Sequence, residues 1–292
     1  MDQLLQQLLN GLSLGSIYAL IALGYTMVYG IIKLINFAHG DIYMLGAYIG
    51  FAAITFAHLS FIPALLISMA ACAVLGMVIE KIAYKPLRHA SRIAVLITAI
   101  GVSFFLEYTT MFFVGATPRA FPQVLGSQFF NIGNVVISMQ QIYIIVVTVI
   151  LMFMLQFIVH KTKTGKAMRA VSIDQDAAQL MGIKVDSTIS FTFAIGSALA
   201  GAAGILVGIY YNTINPLMGM TPGIKAFVAA VFGGIGNIPG AMVGGVSIGM
   251  IETLVAGYGS SMYKDAVVYL ILILVLLIKP SGLLGKNTRE KV

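Results

Sequence analysis

An amide, an imidazole and a carboxylate lie close together near the start of the chain. Asn36, His39 and Asp41 occur within INFAHGDIYMLGAY (35–48), where Gly40 separates the last two. An imidazole beside a carboxylate could relay protons, as in a secondary carrier. A lone histidine next to a glycine more often donates a hydrogen bond to backbone freed by a helix break. We favour the second interpretation, in which the three side chains satisfy broken backbone and are candidates to line a transport route.

Two further groups of residues could belong to the same route. Glu107 lies within the apolar stretch VSFFLEYTTMFF, where a carboxylate costs about 2.5–3.5 kcal/mol in a membrane. It should therefore face protein or water, either as a structural hydrogen-bond anchor or as a pathway group. The stretch GGIGNIPGAMVGG (233–245) interrupts a second apolar run, and its candidate residues are Gly233, Gly236 and Asn237.

The composition places most of the chain in a membrane. The 292 residues are 59% hydrophobic and 9% charged, with a mean hydropathy of +0.98, whereas a soluble domain is roughly 25% charged. Long apolar runs predict an all-α, polytopic membrane protein, a single transmembrane domain (1–292) with about eight helices, some broken or re-entrant. The single Cys72 excludes an internal disulfide and any cysteine-based metal cluster.

The net charge of +7 does not indicate a nucleic-acid partner, because the basic residues cluster beside apolar runs. Thirteen of the 17 lysines and arginines fall in residues 81–92, 161–184 and 279–291. The positive-inside rule places short basic segments of this kind in the cytoplasm. The sequence therefore predicts an external N-terminus, a cytoplasmic C-terminus and membrane lipid around the helices.

This orientation places polar interruptions in both halves of the chain. Residues 223–256 are too few for two full crossings, so we expect a short helix, a break within 233–245 and a longer helix. The segment 35–41 becomes the turn between the first two spans. Paired interruptions are the best sequence indicator of a transport path. Glycines four apart, such as Gly11 and Gly15, predict close packing within the chain, with a subunit interface as the less favoured alternative.

Other charged residues in the apolar runs are expected to pair locally. Glu80 should pair with the adjacent Lys81 at the inner boundary. Lys225 and Glu252 should pair near the outer ends of their helices, unless Lys225 extends to the membrane surface instead. No metal site is predicted at the lone histidines His58, His89 and His160.

Residues 160–186 form the only sizeable polar stretch, and the basic residues place it in the cytoplasm. Thr162 or Thr164 can cap a helix, and Gly182 can end it in the left-handed conformation. One apolar face is predicted, formed by Met168, Val171, Ala178 and Met181. Such a helix could lie on the membrane or dock on a partner protein, and composition leaves both open.

Within this stretch, Asp176-Ala177-Ala178 followed by Gly182 resembles the Glu-Ala-Ala…Gly motif of permease subunits in ATP-binding-cassette importers. The chain has Asp where the motif has Glu, so the charge is retained. The segments 13–48, 165–206 and 223–245 are similar to blocks of high-affinity branched-chain amino acid permeases. The resemblance extends over nearly the whole chain, and it identifies the shorter of two homologous permease subunits.

The resemblance implies the fold of an importer permease in a bacterial inner membrane. It implies a second, homologous permease, two ATPase subunits and a periplasmic or lipid-anchored binding protein for leucine, isoleucine and valine. In that family the helix within 160–186 docks into a groove on the ATPase. The residues that the resemblance assigns to coupling are Arg169, Asp176, Ala177, Ala178 and Gly182.

No cofactor is expected in this chain. It has no G-x-x-x-x-G-K-[ST] loop, so ATP and Mg would be bound by partner ATPase subunits. It also has no H-E-x-x-H pair, which predicts a transport subunit rather than an enzyme. The related alternative function is an importer permease for amides or urea.

A stand-alone secondary carrier is a second alternative, but it would not explain the Ala-Ala…Gly helix.

Overall fold

The computed structural model describes residues 2–88, 90–126 and 128–285. Within them the chain is almost entirely helical, as predicted. The helices are α1 (Asp2–Ile32), α2 (His39–Thr55), α3 (Phe61–Ile79), α4 (Arg92–Val114), α5 (Met139–Lys161), α6 (Lys163–Ile173), α7 (Gln175–Leu180), α8 (Val185–Tyr211), α9 (Met220–Gly233), α10 (Ile238–Tyr258) and α11 (Lys264–Ile278). The predicted cytoplasmic positions of the tail residues Lys286, Arg289 and Lys291, and the lone His89, lie outside the described residues.

Six of these helices (α1, α3, α4, α5, α8 and α10) are long and apolar enough to cross a membrane. Three others are shorter, with 17 residues in α2, 14 in α9 and 15 in α11. Both predicted interruptions are present: α1 ends at Ile32 and α2 begins at His39, while α9 ends at Gly233 and α10 begins at Ile238. The chain is a multi-pass membrane protein with a short helix next to each break.

The helices divide into a central and a peripheral set. α1 and α8 are buried along most of their length. α3, α4 and α5 instead expose large apolar side chains, among them Leu66, Phe112 and Phe153. Because exposed apolar surface of this extent is stable only in contact with lipid or another apolar helix, the peripheral set forms the outer face of the bundle.

Glycines allow the central helices to approach closely. A Cβ on Gly15 of α1 would lie 2.7 Å from both Cα and O of Val246 in α10. A Cβ on Gly46 of α2 would lie 2.5 Å from Cα of Gly201 in α8. These distances are too short for a real side chain, so the backbones are in direct contact. The prediction of close packing within the chain is confirmed.

Four short strands lie between the helices: β1 (Arg119–Ala120), β2 (Phe129–Ile132), β3 (Val135–Ser138) and β4 (Thr213–Ile214). β1 pairs with β4 and β2 pairs with β3, both antiparallel. The apolar run that includes residues 135–138 therefore begins as a strand, and α5 begins at Met139. The hairpin β2–β3 packs on α1, where the Gln6 side chain bonds both N–H and C=O of Val136.

The contact between α1 and α10 leads to a stability prediction. Gly15→Ala should destabilise the protein by about 1–3 kcal/mol, because the added methyl group overlaps the α10 backbone. Gly101→Ala is the matched control in α4, where a Cβ meets nothing within 4 Å. It should be neutral or slightly stabilising, since alanine favours helix over glycine. Thermal unfolding of the two purified variants checks this, and equal melting temperatures would contradict the packing described here.

Candidate functional site

The polar residues of the first break are buried between helices. Asn36 is 2% exposed, and its Oδ1 accepts a hydrogen bond of 2.8 Å from the Tyr84 hydroxyl. The ring of His39 lies edge-on to Tyr25 at 4.8 Å, on the side of α1 where Gly24 leaves room for it. α2 begins after Ala38 without a side-chain cap. Asn36 and His39 therefore contact neighbouring helices, whereas the carboxylate of Asp41, in the first turn of α2, accepts a hydrogen bond from its own backbone N–H. That the three residues together satisfy the broken backbone stays a prediction.

Asp41 and Glu107, far apart in the sequence, are brought together. Their carboxyl groups lie within hydrogen-bond reach of each other, and the Ser103 hydroxyl donates to Asp41. Asp41 is 2% exposed and Glu107 5% exposed, so Glu107 does face the protein interior. Both line a cavity of about 250 Å³ with mostly apolar walls. Because its described lining residues include no basic side chain, this cavity favours a proton or a cation over an anion.

The second break is held by backbone geometry and one cap. Asn237 Oδ1 accepts from the Gly240 N–H at 3.2 Å, and its Nδ2 donates to the carbonyl of Leu284 at 2.6 Å. Gly233 packs directly against Gly240 and leaves no room for a side chain. Gly236 has a φ of +90° and only Gly30 near it, at 3.7 Å. A side chain at position 236 would therefore strain the backbone rather than overlap with a neighbour.

The polar segment 160–186 forms two helices rather than the one predicted. Thr162 caps α6 by accepting from the Gly165 N–H at 3.0 Å. Asp174 then interrupts the helix and caps α7 by accepting from the Ala177 N–H at 2.9 Å. An aspartate with an extended backbone competes with helix continuation in this way. Gly182 has a φ of +82° and ends α7, as the sequence predicts.

The two faces of this segment match the expectation in part. Met168, Val171 and Ala178 are at most 4% exposed and pack against the chain itself, as predicted for the apolar face. The assignment of Ala178 to coupling stays a prediction. Met181 was expected on the same face but does not belong to it. Instead, three apolar side chains extend outward: Ile173 is 87% exposed, Leu180 88% and Met181 82%.

The remaining coupling candidates lie on the exposed side. Asp176 and Ala177 are exposed in α7, and Asp176 lines a cleft of about 730 Å³ that also includes Gly182 and Arg88. Arg169 is exposed in α6 and contacts His160 at the end of α5, with 3.1 Å between nitrogens. The segment thus presents an apolar tip flanked by charged groups.

This segment touches both breaks. Gln175 Nε2 donates to the carbonyl of Ile31 at 3.5 Å, directly before the first break. Met168 and Arg169 of α6 share a small cavity of about 80 Å³ with Gly30 and Gly236. α6 and α7 therefore lie next to the end of α1 and border a cavity that reaches the segment before α10.

Charged pairs connect the ends of the helices. Glu80 is fully buried and pairs with Arg88. It also accepts a hydrogen bond of 2.6 Å from the Ser190 hydroxyl. The expected pair with Lys81 is therefore wrong. The reason is that residues adjacent in a helix point in different directions. Arg88 also pairs with Asp186 at the start of α8.

At the other end of the bundle, the Lys225–Glu252 pair is confirmed, with 2.7 Å between Nζ and Oε1. Both side chains are 3–4% exposed, so Lys225 does not extend to the membrane surface. Within the described residues, no group of three or more His, Cys, Asp or Glu side chains is arranged to hold a metal ion.

Several of these contacts were missed from the sequence. Ser103 and Ser190 carry no local signal, because each bonds a carboxylate 62 or 110 residues away. A local sequence signal was present for the exposed apolar tip, because it consists of large apolar residues within a polar segment: Ile173, Leu180 and Met181. Splitting the segment at Asp174 would have placed Leu180 and Met181 at a helix end, away from the buried face.

Known proteins are similar to this chain over nearly its whole length. The model of a family described as branched-chain amino acid transport system / permease component matches residues 7–276. The chain is 46% identical to the high-affinity branched-chain amino acid transport system permease protein BraD of Pseudomonas aeruginosa, over 99% of this chain and 98% of that protein. It is 43% identical to LivH of Escherichia coli K12, a permease protein of the same description, over 99% and 97%.

A more distant archaeal protein is also similar. The probable branched-chain amino acid transport permease protein LivH of Methanocaldococcus jannaschii is 30% identical over 94% of this chain and 90% of that protein. The family match includes both breaks and the cytoplasmic segment.

Two of the buried glutamates, Glu252 and Glu107, lead to opposite predictions for the same substitution. Glu252→Gln removes one of the two carboxylates that pair with Lys225 and leaves Asp265 as the other, so it should destabilise the protein by about 1–3 kcal/mol. Glu107→Gln replaces a carboxyl that faces another carboxyl with an amide that can donate to Asp41. Its melting temperature should be unchanged or higher. Thermal unfolding of both variants measures the difference, and equal destabilisation would contradict the pairing.

Proposed function

The chain belongs to the family of branched-chain amino acid permease components, and we propose that it forms a translocation pathway for leucine, isoleucine and valine in an ATP-driven importer. Relatives of nearly the same length carry that description, and the family match covers 7–276. The chain would act with a second, homologous permease, with two ATPase subunits that bind ATP and Mg, and with a periplasmic or lipid-anchored binding protein.

The proposal that the chain is coupled to ATP hydrolysis rests on one observation. Ile173, Leu180 and Met181 are more than four-fifths exposed in the described structure, in the polar segment between α5 and α8. Leaving an apolar side chain of this size in water forgoes about 1.5–3 kcal/mol of burial free energy. A cluster of such side chains therefore supports a docking surface for another protein.

A membrane-bound role for the same side chains is less well supported. A helix that lies on a membrane needs a long apolar face of its own. α7 has only six residues, and the apolar face of α6 is already buried against the chain through Met168 and Val171. The exposed side chains lie on a different side, next to the exposed Asp176 and Ala177. We therefore assign this tip to the ATPase groove.

The coupling path follows from the contacts of the segment. When the ATPase subunits close, they would move α6 and α7 through Leu180 and Met181. Gln175 would transmit this movement to Ile31 before the first break, and Met168 with Arg169 would transmit it to the region of Gly236. Ala178 contributes indirectly, by holding α7 against the chain. In this account the breaks are the moving parts.

The docking proposal predicts a loss of ATPase binding when the tip is truncated. The double variant Leu180→Ala, Met181→Ala should weaken retention of the ATPase subunits about tenfold or more, because two apolar side chains leave the interface. Leu66→Ala is the matched control, an exposed leucine on the lipid-facing α3. Co-purification and ATP hydrolysis report the result. Equal retention in the double variant and the control would remove the tip from the mechanism.

Substrate assignment is tested by transport. The chain, purified with its co-encoded partners, is reconstituted in proteoliposomes with the binding protein and ATP. Uptake of leucine, isoleucine and valine should exceed uptake of acetamide and urea by at least about tenfold. Preferential uptake of the amide or of urea would replace this assignment with the alternative importer class.

The orientation is proposed from the basic residues, which cluster in three short segments. A reporter that is active only in the cytoplasm, fused after Val292, should be active. A reporter fused before Asp2 should be inactive. A stably expressed but inactive C-terminal fusion would reverse the orientation.

A further inference from the structure

A second cavity, of about 350 Å³, lies among the ends of six helices near the Lys225–Glu252 pair. We call it the charged pocket, and its polar lining includes Tyr43, Lys225, Glu252, Lys264 and Asp265. It contains two basic and two acidic side chains, so its formal charge is zero. A neutral pocket with separated charges of both signs complements a neutral ligand that itself carries both charges.

The four charges are not equally accessible. Lys225 is buried and saturated, with Nζ 2.7 Å from Glu252 Oε1 and 2.6 Å from Asp265 Oδ1. Lys264 lies 3.7 Å from Glu252, too far for a hydrogen bond, and its side chain is 37% exposed. Asp265 is 42% exposed. The partly exposed mouth of the pocket therefore presents the Lys264 ammonium group, only loosely paired with Glu252, and the second carboxylate oxygen of Asp265, Oδ2, since Oδ1 is paired with Lys225.

A third polar group points to the same ligand. Tyr43 is fully buried and lines the pocket, yet its hydroxyl has no hydrogen-bond partner among the residues that the structure describes. Glu252 Oε2, by contrast, accepts from the Tyr18 hydroxyl at 2.9 Å. Buried hydroxyl groups are nearly always paired. The Tyr43 hydroxyl is thus an unpaired donor buried in the pocket wall, and a ligand would reach it only when the surrounding side chains move apart.

The rest of the lining is apolar. Val207, Leu217 and Met218 contribute aliphatic surface, and Tyr18 and Tyr211 contribute rings. The volume falls within the range of small-molecule sites, about 300–1,000 Å³. An aliphatic side chain can pack here while the charged end of the same molecule faces Lys264 and Asp265.

We propose that the charged pocket binds an aliphatic α-amino acid as a zwitterion during transport. Its carboxylate binds Lys264 and the Tyr43 hydroxyl, and its ammonium group binds Asp265. This inference rests on the proposed function, and it adds a binding site in the permease itself. The cavity of Asp41 and Glu107 fits the same ligand less well, because it offers no cation for the carboxylate.

The test is binding of radiolabelled leucine to the full permease–ATPase complex in nanodiscs, without binding protein or ATP. Leucine should bind saturably. Leucinamide, which lacks the carboxylate, and 4-methylpentanoate, which lacks the ammonium group, should compete at least about tenfold more weakly, because each leaves one charge of the pocket without a partner. Tyr43→Phe should weaken leucine binding about three- to tenfold, the effect of one lost hydrogen bond.

Tyr48→Phe is the matched control. Tyr48 is also buried in α2 with an unpaired hydroxyl among the described residues, but it does not line the pocket. Its leucine affinity should equal that of the unmodified complex. No saturable binding, equal affinity in Tyr43→Phe, or equal competition by the two analogues would each overturn the inference. ATP-driven leucine uptake by the same complex, reconstituted in proteoliposomes with the binding protein, separates the two proposals, because its absence would refute the proposed function instead.

Discussion

Direct contact between helix backbones, made at glycines, is the constraint on which the rest of the structure depends. Helices in lipid gain little from the hydrophobic effect when they associate, so close van der Waals packing has to hold them together. Gly15 brings α1 against Val246 of α10, and Gly46 brings α2 against Gly201 of α8. These contacts form a core whose helices cannot slide past one another without steric overlap. In the proposed mechanism, movement occurs in segments outside those contacts, namely the two breaks and the helices α6 and α7.

The charged side chains follow from the same constraint. A charge buried among packed helices needs a partner, because desolvation is costly in a membrane. Lys225 has two carboxylates, and Glu80 has Arg88 and Ser190. These pairs connect helix ends, where they can set the relative positions of neighbouring helices. The carboxyl groups of Asp41 and Glu107 differ, since they face each other across a cavity with no basic group among its described lining residues.

Much of this architecture follows from the sequence. Hydropathy, basic segments and glycine-rich interruptions predict the helices, the two breaks and the position of the cytoplasmic segment, because each depends on neighbouring residues. The side-chain partners do not follow. Asn36 bonds Tyr84 rather than nearby backbone, and Glu80 selects Arg88 over the adjacent Lys81. Ala178 turns inward while Leu180 turns outward, because the α7 helix begins again at Asp174. Side-chain partners of this kind depend on how the helices cross, so they cannot be predicted from neighbouring residues in a single sequence.

The central claim is that a glycine-packed core moves at two breaks when the cytoplasmic helices are displaced. Hydrogen–deuterium exchange of the full complex, compared without nucleotide and with ATP and vanadate, tests it most directly. The account predicts that exchange changes in residues 33–38, 163–183 and 234–237, while α1 and α10 stay protected where Gly11 and Gly15 face α10. Unchanged exchange at both breaks, or changes spread evenly along α1 and α10, would contradict it.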